Sequence, residues 1–250
     1  MSAKSIVLIP TYNECENVSK MIDTVMALPM EIDILIIDDN SPDGTAGIVK
    51  AKQSEYPERL HLLERAGKQG LGKAYIAGFL WALEHGYEYI SEMDCDFSHP
   101  VDKLVELNNA VMSGRADVAI GSRYTEGGSV KNWPLSRIAI SYGASLYVRL
   151  ITGFPVKDST AGFVCYHRSV LESIDLSSIR FHGYAFQIEM KYAAYCLGFQ
   201  LLEVPITFED RVLGTSKMSG AIFGEGFKGV IALRRDQLRG LFPKGKRKIC

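Results

Sequence analysis

Short β-branched runs alternate with segments of helical period through the first half of the chain, and this feature constrains the fold most. The predicted strands are Ser5–Ile9, Ile32–Ile37, Leu60–Leu63, Tyr89–Met93 and Val118–Gly121. The predicted helices are Val18–Leu28, Thr45–Gln53, Leu71–His85 and Val101–Ser113. The strands are nearly continuous apolar runs, which is typical of a parallel sheet covered on both faces. The pattern predicts an α/β fold with a mainly parallel central sheet flanked by helices.

The rhythm weakens after Ser122, although further elements follow. They are a helix at Leu135–Ile151, a strand at Gly162–Tyr166, a helix at Ala185–Cys196 and a strand at Leu201–Ile206. No linker rich in Pro or Ser separates the two halves, and 250 residues suit one large α/β domain. We therefore expect a single domain over residues 1–220, followed by a basic amphipathic helix and tail over 221–250.

Composition excludes several classes of protein. The 28 Lys and Arg residues balance 29 Asp and Glu residues, which argues against nucleic acid as a partner. The five cysteines are odd in number and form no Cys-x-x-Cys pair, so neither a disulfide framework nor a zinc site is predicted and a cytoplasmic location is expected. The chain enters its first strand without a signal sequence, and its most apolar later stretch is broken by Arg149 and Pro155. No membrane span is predicted.

Dense polar clusters follow the predicted strands directly. They are Pro10–Glu14 after the first strand, Asp38–Thr45 after the second and Asp94–Pro100 after the fourth. The carboxyl ends of parallel strands open on one edge of a sheet, where α/β proteins bind their ligands. The clusters therefore predict a shared binding site at that edge.

Two pairs of carboxylates lie in these clusters. Asp94 and Asp96 would share a face if their strand continued that far, and a divalent cation would relieve their repulsion. The alternative is a turn and helix cap before Pro100. In Asp38-Asp39, one carboxylate could accept hydrogen bonds from a nucleobase or ribose. A simple turn with a cap at residue 43 or 45 is compatible with that role.

A glycine-rich stretch from Gly67 to Lys73 has the spacing of a phosphate-binding P-loop. The residue after Lys73 is Ala74, whereas a P-loop places a Ser or Thr there for magnesium. A flexible entry to a helix, which lends Lys68 or backbone amides to the rim of the site, is favoured instead.

Basic residues of the second half could form further anion sites. Arg123 ends a strand, while Arg137 and Ser141 share one face of a predicted helix, so the three could bind a second phosphate. The alternative for Arg137 is an ordinary solvated charge. Arg211 and Lys217 flank a glycine-containing loop and could close over a diphosphate, or could simply belong to a charged surface loop.

The segment from Gly220 onward mixes apolar and basic residues. An amphipathic basic helix with a polybasic tail suits an anionic membrane surface. A helix packed on the domain with a soluble tail is the alternative.

Taken together, the motifs resemble those of the family-2 glycosyltransferases with the GT-A fold, a nucleotide-sugar-binding fold. They are Pro10–Glu14, Asp38–Thr45, Gly70–Gly72, Met93–Pro100, Gly121–Tyr124, Asp158–Phe163, Gly183–Glu189 and Pro205–Lys217. The resemblance covers about residues 5 to 220. It is strongest to members that transfer mannose to a polyprenyl phosphate.

The resemblance implies transfer of mannose from GDP-mannose to polyprenyl or dolichyl phosphate, with inversion and with Mg²⁺ or Mn²⁺ as cofactor. The implied donor-binding residues are Pro10, Tyr12, Glu14, Ile37, Asp39, Asp94, Cys95, Asp96, Arg211 and Lys217. Asp96 and Ser98 are implied for the metal, Arg123, Arg137 and Ser141 for the acceptor phosphate, and Asp94, Asp96 and Arg123 for catalysis. Cys95 lies between the two acids and is given no chemistry.

An acceptor phosphate is already anionic near neutral pH, so this reaction needs no carboxylate base. Without a membrane span, the protein is expected to meet its lipid at the cytoplasmic face of a membrane, through the amphipathic segments or a small membrane partner. Three alternatives remain open: another donor such as UDP-glucose, a glycan acceptor, or a non-catalytic subunit that binds a nucleotide sugar.

Overall fold

The computed structural model describes residues 4–181, 183–210 and 221–240, without the side chains of residues 184 and 221–226. Its strands are Ser5–Thr11 (β1), Asp33–Asp38 (β2), Leu60–Glu64 (β3), Tyr89–Glu92 (β4), Val118–Ser122 (β5), Ser129–Lys131 (β6), Val164–His167 (β7), Leu201–Pro205 (β8) and Thr207–Glu209 (β9). Its α-helices are Val18–Met26 (α1), Thr45–Lys52 (α2), Leu71–Glu84 (α3), Lys103–Met112 (α4), Leu135–Thr152 (α5), Arg168–Ser173 (α6), Tyr184–Cys196 (α7) and Ala221–Leu238 (α8).

Seven strands form one mixed sheet in the order β3-β2-β1-β4-β7-β5-β8. All neighbours are parallel except β7, which runs antiparallel to both β4 and β5. The predicted α/β fold with a mainly parallel sheet is therefore confirmed. The reversal at β7 was not predicted, because a short apolar run carries no mark of its direction.

Helices cover both faces of the sheet, and an apolar core fills each side. One core joins α3, α5, α7 and α8 to residues such as Leu8 and Ile120, while the other joins α1, α2 and α4 to residues such as Ile9 and Ile36. Successive residues of β1 from Ile6 to Ile9 thus belong to opposite cores, which is why this part of the strand is apolar throughout. At Gly78 a Cβ would lie 2.5 Å from the Ile37 side chain, so this glycine lets α3 lie close against the sheet.

Strands β6 and β9 form a separate parallel ribbon of two strands, which the sequence did not predict. The Ser129 and Thr207 hydroxyls lie 2.9 Å apart across it. Each strand has only three residues, too few for a periodic signal. The ribbon brings the chain after Lys131 next to the chain after Glu209.

Candidate active site

The predicted edge forms because β1, β2 and β4 are parallel and in register. Pro10 pairs with Ile37 across β1 and β2, and Leu8 pairs with Glu92 across β1 and β4. The Met93 amide then donates to the Leu8 carbonyl, 3.1 Å away. The three polar clusters consequently open on the same edge of the sheet, as their positions after the strands predicted.

Asp38 is a structural carboxylate. Its Oδ1 accepts from the Thr11 hydroxyl (3.0 Å) and the Ser41 hydroxyl (2.6 Å), and its Oδ2 accepts from the Ser41 amide (2.9 Å). The residue is 1% exposed. These bonds tie the turn after β2 to the end of β1, so the carboxylate that the edge offers a ligand is the neighbouring Asp39.

Asp39 forms an ion pair with Arg65, a residue that the sequence analysis missed. Both side chains are largely buried, and the Arg65 amide donates to the Asp38 carbonyl at 2.8 Å, directly after β3. Burial raises the pKa of Asp39, against the opposing effect of the Arg65 charge. The only signal in the sequence was that Arg65 also follows a strand of the parallel set.

The turn expected around Asp43 is present, next to the proposed binding residue Asp39. Asp43 Oδ1 accepts from the Thr45 amide (3.0 Å) and hydroxyl (2.6 Å), and its Oδ2 accepts from the Cys15 amide (3.0 Å). Burial opposes ionisation, but these hydrogen bonds lower the pKa of Asp43 to about 2. The Glu14 amide donates to the Thr45 hydroxyl at 3.1 Å, so the loops after β1 and β2 are cross-linked.

The glycine-rich stretch forms the entry to α3. Gly70 precedes the helix with a φ of 101°, a conformation that glycine adopts without strain. Lys68 Nζ lies 4.8 Å from the centre of the Tyr12 ring. Lys68 therefore covers a predicted donor residue at the rim of the site, whereas Lys73 lies inside α3 and is exposed.

Asp94 and Asp96 lie on a turn, since β4 ends at Glu92. The shared face expected from strand alternation does not apply. Instead, the Ser98 amide donates to Asp96 Oδ1 at 3.0 Å, and Phe97 adopts a φ of 60°. A positive φ is costly for a bulky residue, and such strain is concentrated at functional sites. The turn, rather than the strand, sets the positions of the two carboxylates.

The side chains of this turn have the chemistry of a site for a hard cation. Asp96 and Ser98 are 7% and 3% exposed, and Asp94 is partly buried. Within the part of the chain that the structure describes, no group of three or more His, Cys, Asp or Glu side chains encloses a metal position. Mg²⁺ is typically held by one or two carboxylates plus substrate phosphates, so the turn fits such an ion. Burial raises the pKa of Cys95, which keeps this thiol neutral and unsuited as a ligand.

His99 supports the turn from behind. Its Nδ1 accepts a hydrogen bond from the Asp94 amide at 3.3 Å, while its ring stacks on Phe163 with centroids 5.0 Å apart. Its ring also packs against the Phe208 ring in a T-shaped arrangement, with centroids 5.4 Å apart. Burial lowers the pKa of His99 from 6.5 to about 4, so the ring is neutral at physiological pH. Proximity to the acidic cluster was the only sequence signal for this positioning role.

Arg123, the residue after β5, is held by a buried carboxylate. Its Nε and Nη2 donate to the two oxygens of Asp158, each at 2.7 Å, and its amide donates to Asp158 Oδ2 at 3.0 Å. Asp158 is 0% exposed, and despite burial the Arg123 charge lowers the pKa of this carboxyl. Arg123 is thus an organised cation at the same end of the sheet as the acidic turn.

Trp133 brings the two predicted acceptor arginines together. The Arg137 guanidinium carbon lies 3.9 Å from the indole ring and that of Arg123 lies 5.4 Å from it. Arg137 also pairs with Asp210 at 2.9 Å. The ordinary solvated charge that was the alternative for Arg137 does not describe this environment. Ser141 lies beside Tyr124, whose ring is 5.2 Å from the Arg123 guanidinium.

A buried polar group lies under the acidic turn. Gln187 donates to Glu92 at 2.8 Å, and Lys191 donates to the Ala161 carbonyl. Glu92, Gln187 and Lys191 are each at most 2% exposed. Burial raises the pKa of Glu92 and lowers that of Lys191. The sequence analysis gave these residues no role, because their partners are remote along the chain. Two predicted donor residues, Arg211 and Lys217, lie outside the described residues.

An α/β edge with an acidic turn on one side and two organised arginines on the other fits an enzyme that binds a nucleotide sugar and transfers the sugar. The family model for glycosyl transferase family 2 matches residues 6–175. The chain belongs to this family, as its motifs indicated.

Two relatives are similar along nearly their whole length. The chain is 45% identical over 242 residues to the polyprenol monophosphomannose synthase of Mycolicibacterium smegmatis, covering 95% of this chain and 91% of that one. It is 44% identical over 238 residues to the undecaprenyl-phosphate mannosyltransferase of Micrococcus luteus, covering 94% and 97%.

Solved structures share the fold. Glucosyl-3-phosphoglycerate synthase from Mycobacterium tuberculosis, in complex with Mn²⁺, uridine diphosphate and glucosyl-3-phosphoglycerate, matches 96% of this chain and 80% of its own with a TM-score of 0.65 at 14% identity. Mannosyl-3-phosphoglycerate synthase from Rubrobacter xylanophilus matches 95% and 75%, with a TM-score of 0.64 at 18% identity. The GT-A-like fold implied by the motifs is therefore confirmed.

Proposed function

We propose that the protein transfers mannose from GDP-mannose to the phosphate of a polyprenyl lipid, with inversion at the anomeric carbon. The observation that carries the proposal is the pair of arginines on Trp133, at the end of the sheet that also bears Asp94 and Asp96. The names of the two similar relatives support both the mannosyl group and the polyprenyl acceptor.

The donor would bind along the edge formed by β1, β2 and β4. Tyr12 and Glu14, with the main chain at Pro10 and Ile37, would enclose the guanosine, and Asp39 would accept hydrogen bonds from it. The ion pair with Arg65 favours the ionised form of Asp39, although burial raises the pKa of this carboxyl, and an ionised carboxylate can act as an acceptor only. Arg211 and Lys217 are proposed to bind the diphosphate.

Asp96 and Ser98 would hold a Mg²⁺ or Mn²⁺ ion, with Asp94 facing the sugar diphosphate. The ion, when bound, neutralises negative charge on the departing GDP. The protein's own contribution is the position of its oxygens: the Ser98 amide fixes the Asp96 carboxylate, and neutral His99 fixes the main chain at Asp94. These contacts hold the acidic turn in place before any ligand arrives.

The acceptor phosphate would be bound by Arg123, Arg137 and the Ser141 hydroxyl. Guanidinium groups match phosphate oxygens in geometry and charge. Because the phosphate is already ionised, its attacking oxygen needs orientation rather than deprotonation. Attack from the side opposite the leaving diphosphate gives inversion.

The lipid would be reached along one face of α5 and α8, which pack together. The Tyr147 and Phe227 rings stack with centroids 4.2 Å apart, and the Tyr147 hydroxyl donates to the Phe227 carbonyl at 3.0 Å. Apolar side chains that remain exposed on the two helices are Leu135, Ile140, Tyr142, Leu146, Leu150, Phe227, Ile231 and Leu238. Such a surface beside basic residues favours peripheral binding to the cytoplasmic face of a membrane.

Within the described ranges, no helix is long and apolar enough to cross a bilayer. A small membrane partner could add to the anchoring that the two helices supply.

A mannolipid assay tests the proposal. Purified protein is incubated with radiolabelled GDP-mannose, a short polyprenyl phosphate and Mn²⁺, and the organic phase is counted and analysed for anomeric configuration. We expect a mannosyl-phosphoryl lipid of the β configuration. Parallel reactions with UDP-glucose and with a glycan acceptor test the alternatives. Transfer only from UDP-glucose would refute the choice of sugar, and tight GDP binding without any transfer would indicate a non-catalytic subunit.

A further inference from the structure

Asp158 has no role assigned so far beyond its bond to Arg123, yet it is among the most completely buried acids of the described chain. It lies between α5 and β7, 35 residues from its partner along the sequence. Burying a carboxylate is costly unless it is paired and hydrogen-bonded. A solvent-exposed arginine needs no buried carboxylate to stay charged, so the burial of Asp158 points to a role beyond charge balance.

The pair has a fixed geometry. Both carboxylate oxygens of Asp158 accept from the guanidinium, and the Thr160 hydroxyl lies 2.9 Å from Nη2 on the same edge. The Asp158 amide in turn donates to Glu203 Oε1 at 3.0 Å. This oxygen also accepts from the Ser122 hydroxyl at 2.7 Å, so the strand end that precedes Arg123 and the loop that holds it share one carboxylate.

Three aromatic rings also lie near this cation. The Arg123 guanidinium carbon lies 5.2 to 5.5 Å from the ring centres of Tyr124, Trp133 and Phe208. Rings attract a cation but do not fix its rotation as a bidentate carboxylate does. The orientation of the guanidinium plane therefore depends on Asp158.

Arg137 differs in this respect. Its pair with Asp210 has side chains that are 31% and 32% exposed, compared with 9% and 0% for Arg123 and Asp158. Water screens the more exposed pair and weakens it. Of the two arginines on Trp133, Arg123 is thus the rigid one and Arg137 the adaptable one.

We propose that Asp158 is a positioning residue for acceptor binding: it fixes the Arg123 guanidinium in the orientation that receives the lipid phosphate. The inference rests on the proposed acceptor site. It adds that the affinity for the acceptor phosphate depends on a carboxylate that never touches the lipid. A preorganised cation loses less conformational freedom on binding than a mobile one.

The test compares Asp158→Asn, Arg123→Ala and the double variant, with titration of a short polyprenyl phosphate by calorimetry as the main readout. We expect Asp158→Asn to weaken acceptor binding by about 10- to 100-fold, the range for a lost charge-assisted hydrogen bond. GDP affinity should change by no more than about two-fold, within the error of independent sites. If Asp158 acts through Arg123, the double variant should bind the acceptor no more weakly than Arg123→Ala alone.

A matched control is Asp33→Asn. Asp33 also pairs with an arginine, Arg59, but at the opposite end of the sheet, so this variant should bind the acceptor as the wild type does. The Thr160 hydroxyl accepts from Arg123 and donates to Asp158 Oδ1 at 3.4 Å, so Thr160→Val loosens the pair without removing either charge. It should weaken acceptor binding by about 10-fold, the lower end for a hydrogen bond to a charged group, which keeps the inference testable if Asp158→Asn fails to fold.

Additive losses in the double variant, or equal losses of GDP and acceptor affinity, would overturn the positioning role. Wild-type acceptor affinity in a folded Arg123→Ala variant would overturn it together with the acceptor site. Failure of mannose transfer is a separate result, because acceptor affinity is measured without a donor. If wild-type protein makes no mannolipid but Asp158→Asn still weakens acceptor binding through Arg123, the inference stands and the proposed transfer does not.

Discussion

The two sides of the candidate site are built differently. The side proposed for the donor, called the donor side below, is acidic and is ordered in part by short-range bonds: Asp38 is bonded to Ser41, Asp43 to Thr45, and Asp96 to the Ser98 amide, all within three residues. Its longer-range contacts include the Asp39–Arg65 pair, 26 residues apart. The acceptor side is cationic and assembled from remote segments. Arg123 is paired across 35 residues and Arg137 across 73.

The difference follows from the kind of side chain on each side. Carboxylates can be oriented by nearby amides, and the ends of parallel strands supply those amides in quantity. Long arginine side chains need aromatic surfaces and counter-charges, which only distant parts of the fold can bring. The comparison predicts that a substitution on one side weakens ligand binding at that side and leaves binding at the other side intact.

Asp96→Asn should give the largest effect. The amide keeps the shape of the residue but loses the charge that faces the proposed metal, and turnover should fall by about 1,000-fold or more, as for other losses of preorganised charge. Mannolipid formation measures this directly. Asp102→Asn is the control, because Asp102 is exposed and makes no side-chain capping bond at the start of α4. Retention of normal turnover in a folded Asp96→Asn protein would contradict the assignment.

Arg137→Ala should impair use of the lipid phosphate and leave binding of GDP-mannose intact. Loss of one charge-assisted phosphate contact is expected to lower kcat/KM for the lipid phosphate by about 10- to 100-fold, while GDP-mannose affinity stays within about two-fold. Steady-state kinetics with each substrate varied in turn separates the two. Arg149→Ala, further along α5, serves as the control. Equal losses for both substrates would mean that the two sides are not separable.

His99 joins the two sides, because it bonds to Asp94 and its ring contacts Phe208 of the acceptor side. Its pKa is lower in the folded protein than in the unfolded chain, so the unfolded chain binds more protons between about pH 4 and 6.5. Stability should therefore fall as the pH is lowered through this window, by up to about 1.4 kcal/mol per pH unit from this residue.

His99→Gln should flatten that dependence, which urea unfolding at a series of pH values measures. His85→Gln, at the exposed end of α3, should leave the slope unchanged. An identical slope in the His99→Gln protein would show that the ring is not the responsible group.

The smallest expected effect concerns the membrane face, which belongs to the acceptor side through α5. Leu150 is 75% exposed, and Leu150→Glu should weaken binding to vesicles with anionic lipids by about 5-fold, since one leucine contributes only part of a buried surface. Flotation of vesicles measures the bound fraction. Leu80→Glu is the matched control, because Leu80 is 55% exposed on α3. Equal effects of the two changes would argue against a defined membrane face.

On the donor side, the position of polar motifs directly after apolar strands predicted where Pro10, Tyr12, Asp39, Asp94 and Asp96 lie, because parallel strand order requires these motifs to meet at one edge. The roles that the family resemblance implies for these residues stay predictions. Arg65 was missed because it acts through Asp39, 26 residues away. His99 lies only five residues from Asp94, but nothing in the sequence indicated that its ring would be buried and neutral.

On the acceptor side, the sequence predicted that Arg123, Arg137 and Ser141 could share a phosphate, but it did not indicate which contacts bring the two arginines together. Nothing in the sequence indicated that Trp133 and Phe208 would lie with ring centres 5.2 Å apart, because the ribbon of β6 and β9 joins segments almost 80 residues apart. Asp158 was part of a motif without a role until its bond to Arg123 was seen.

The sequence by itself determined the α/β class, the edge of the sheet at which the polar clusters meet and the acidic residues on that edge, because periodicity and strand-end position are local properties of a chain. Tertiary structure decided which carboxylates are structural, how the acidic turn is oriented, and how two arginines come to share an indole ring. Those features depend on contacts between segments remote in sequence, and the free energy of such contacts exists only once the sheet has formed.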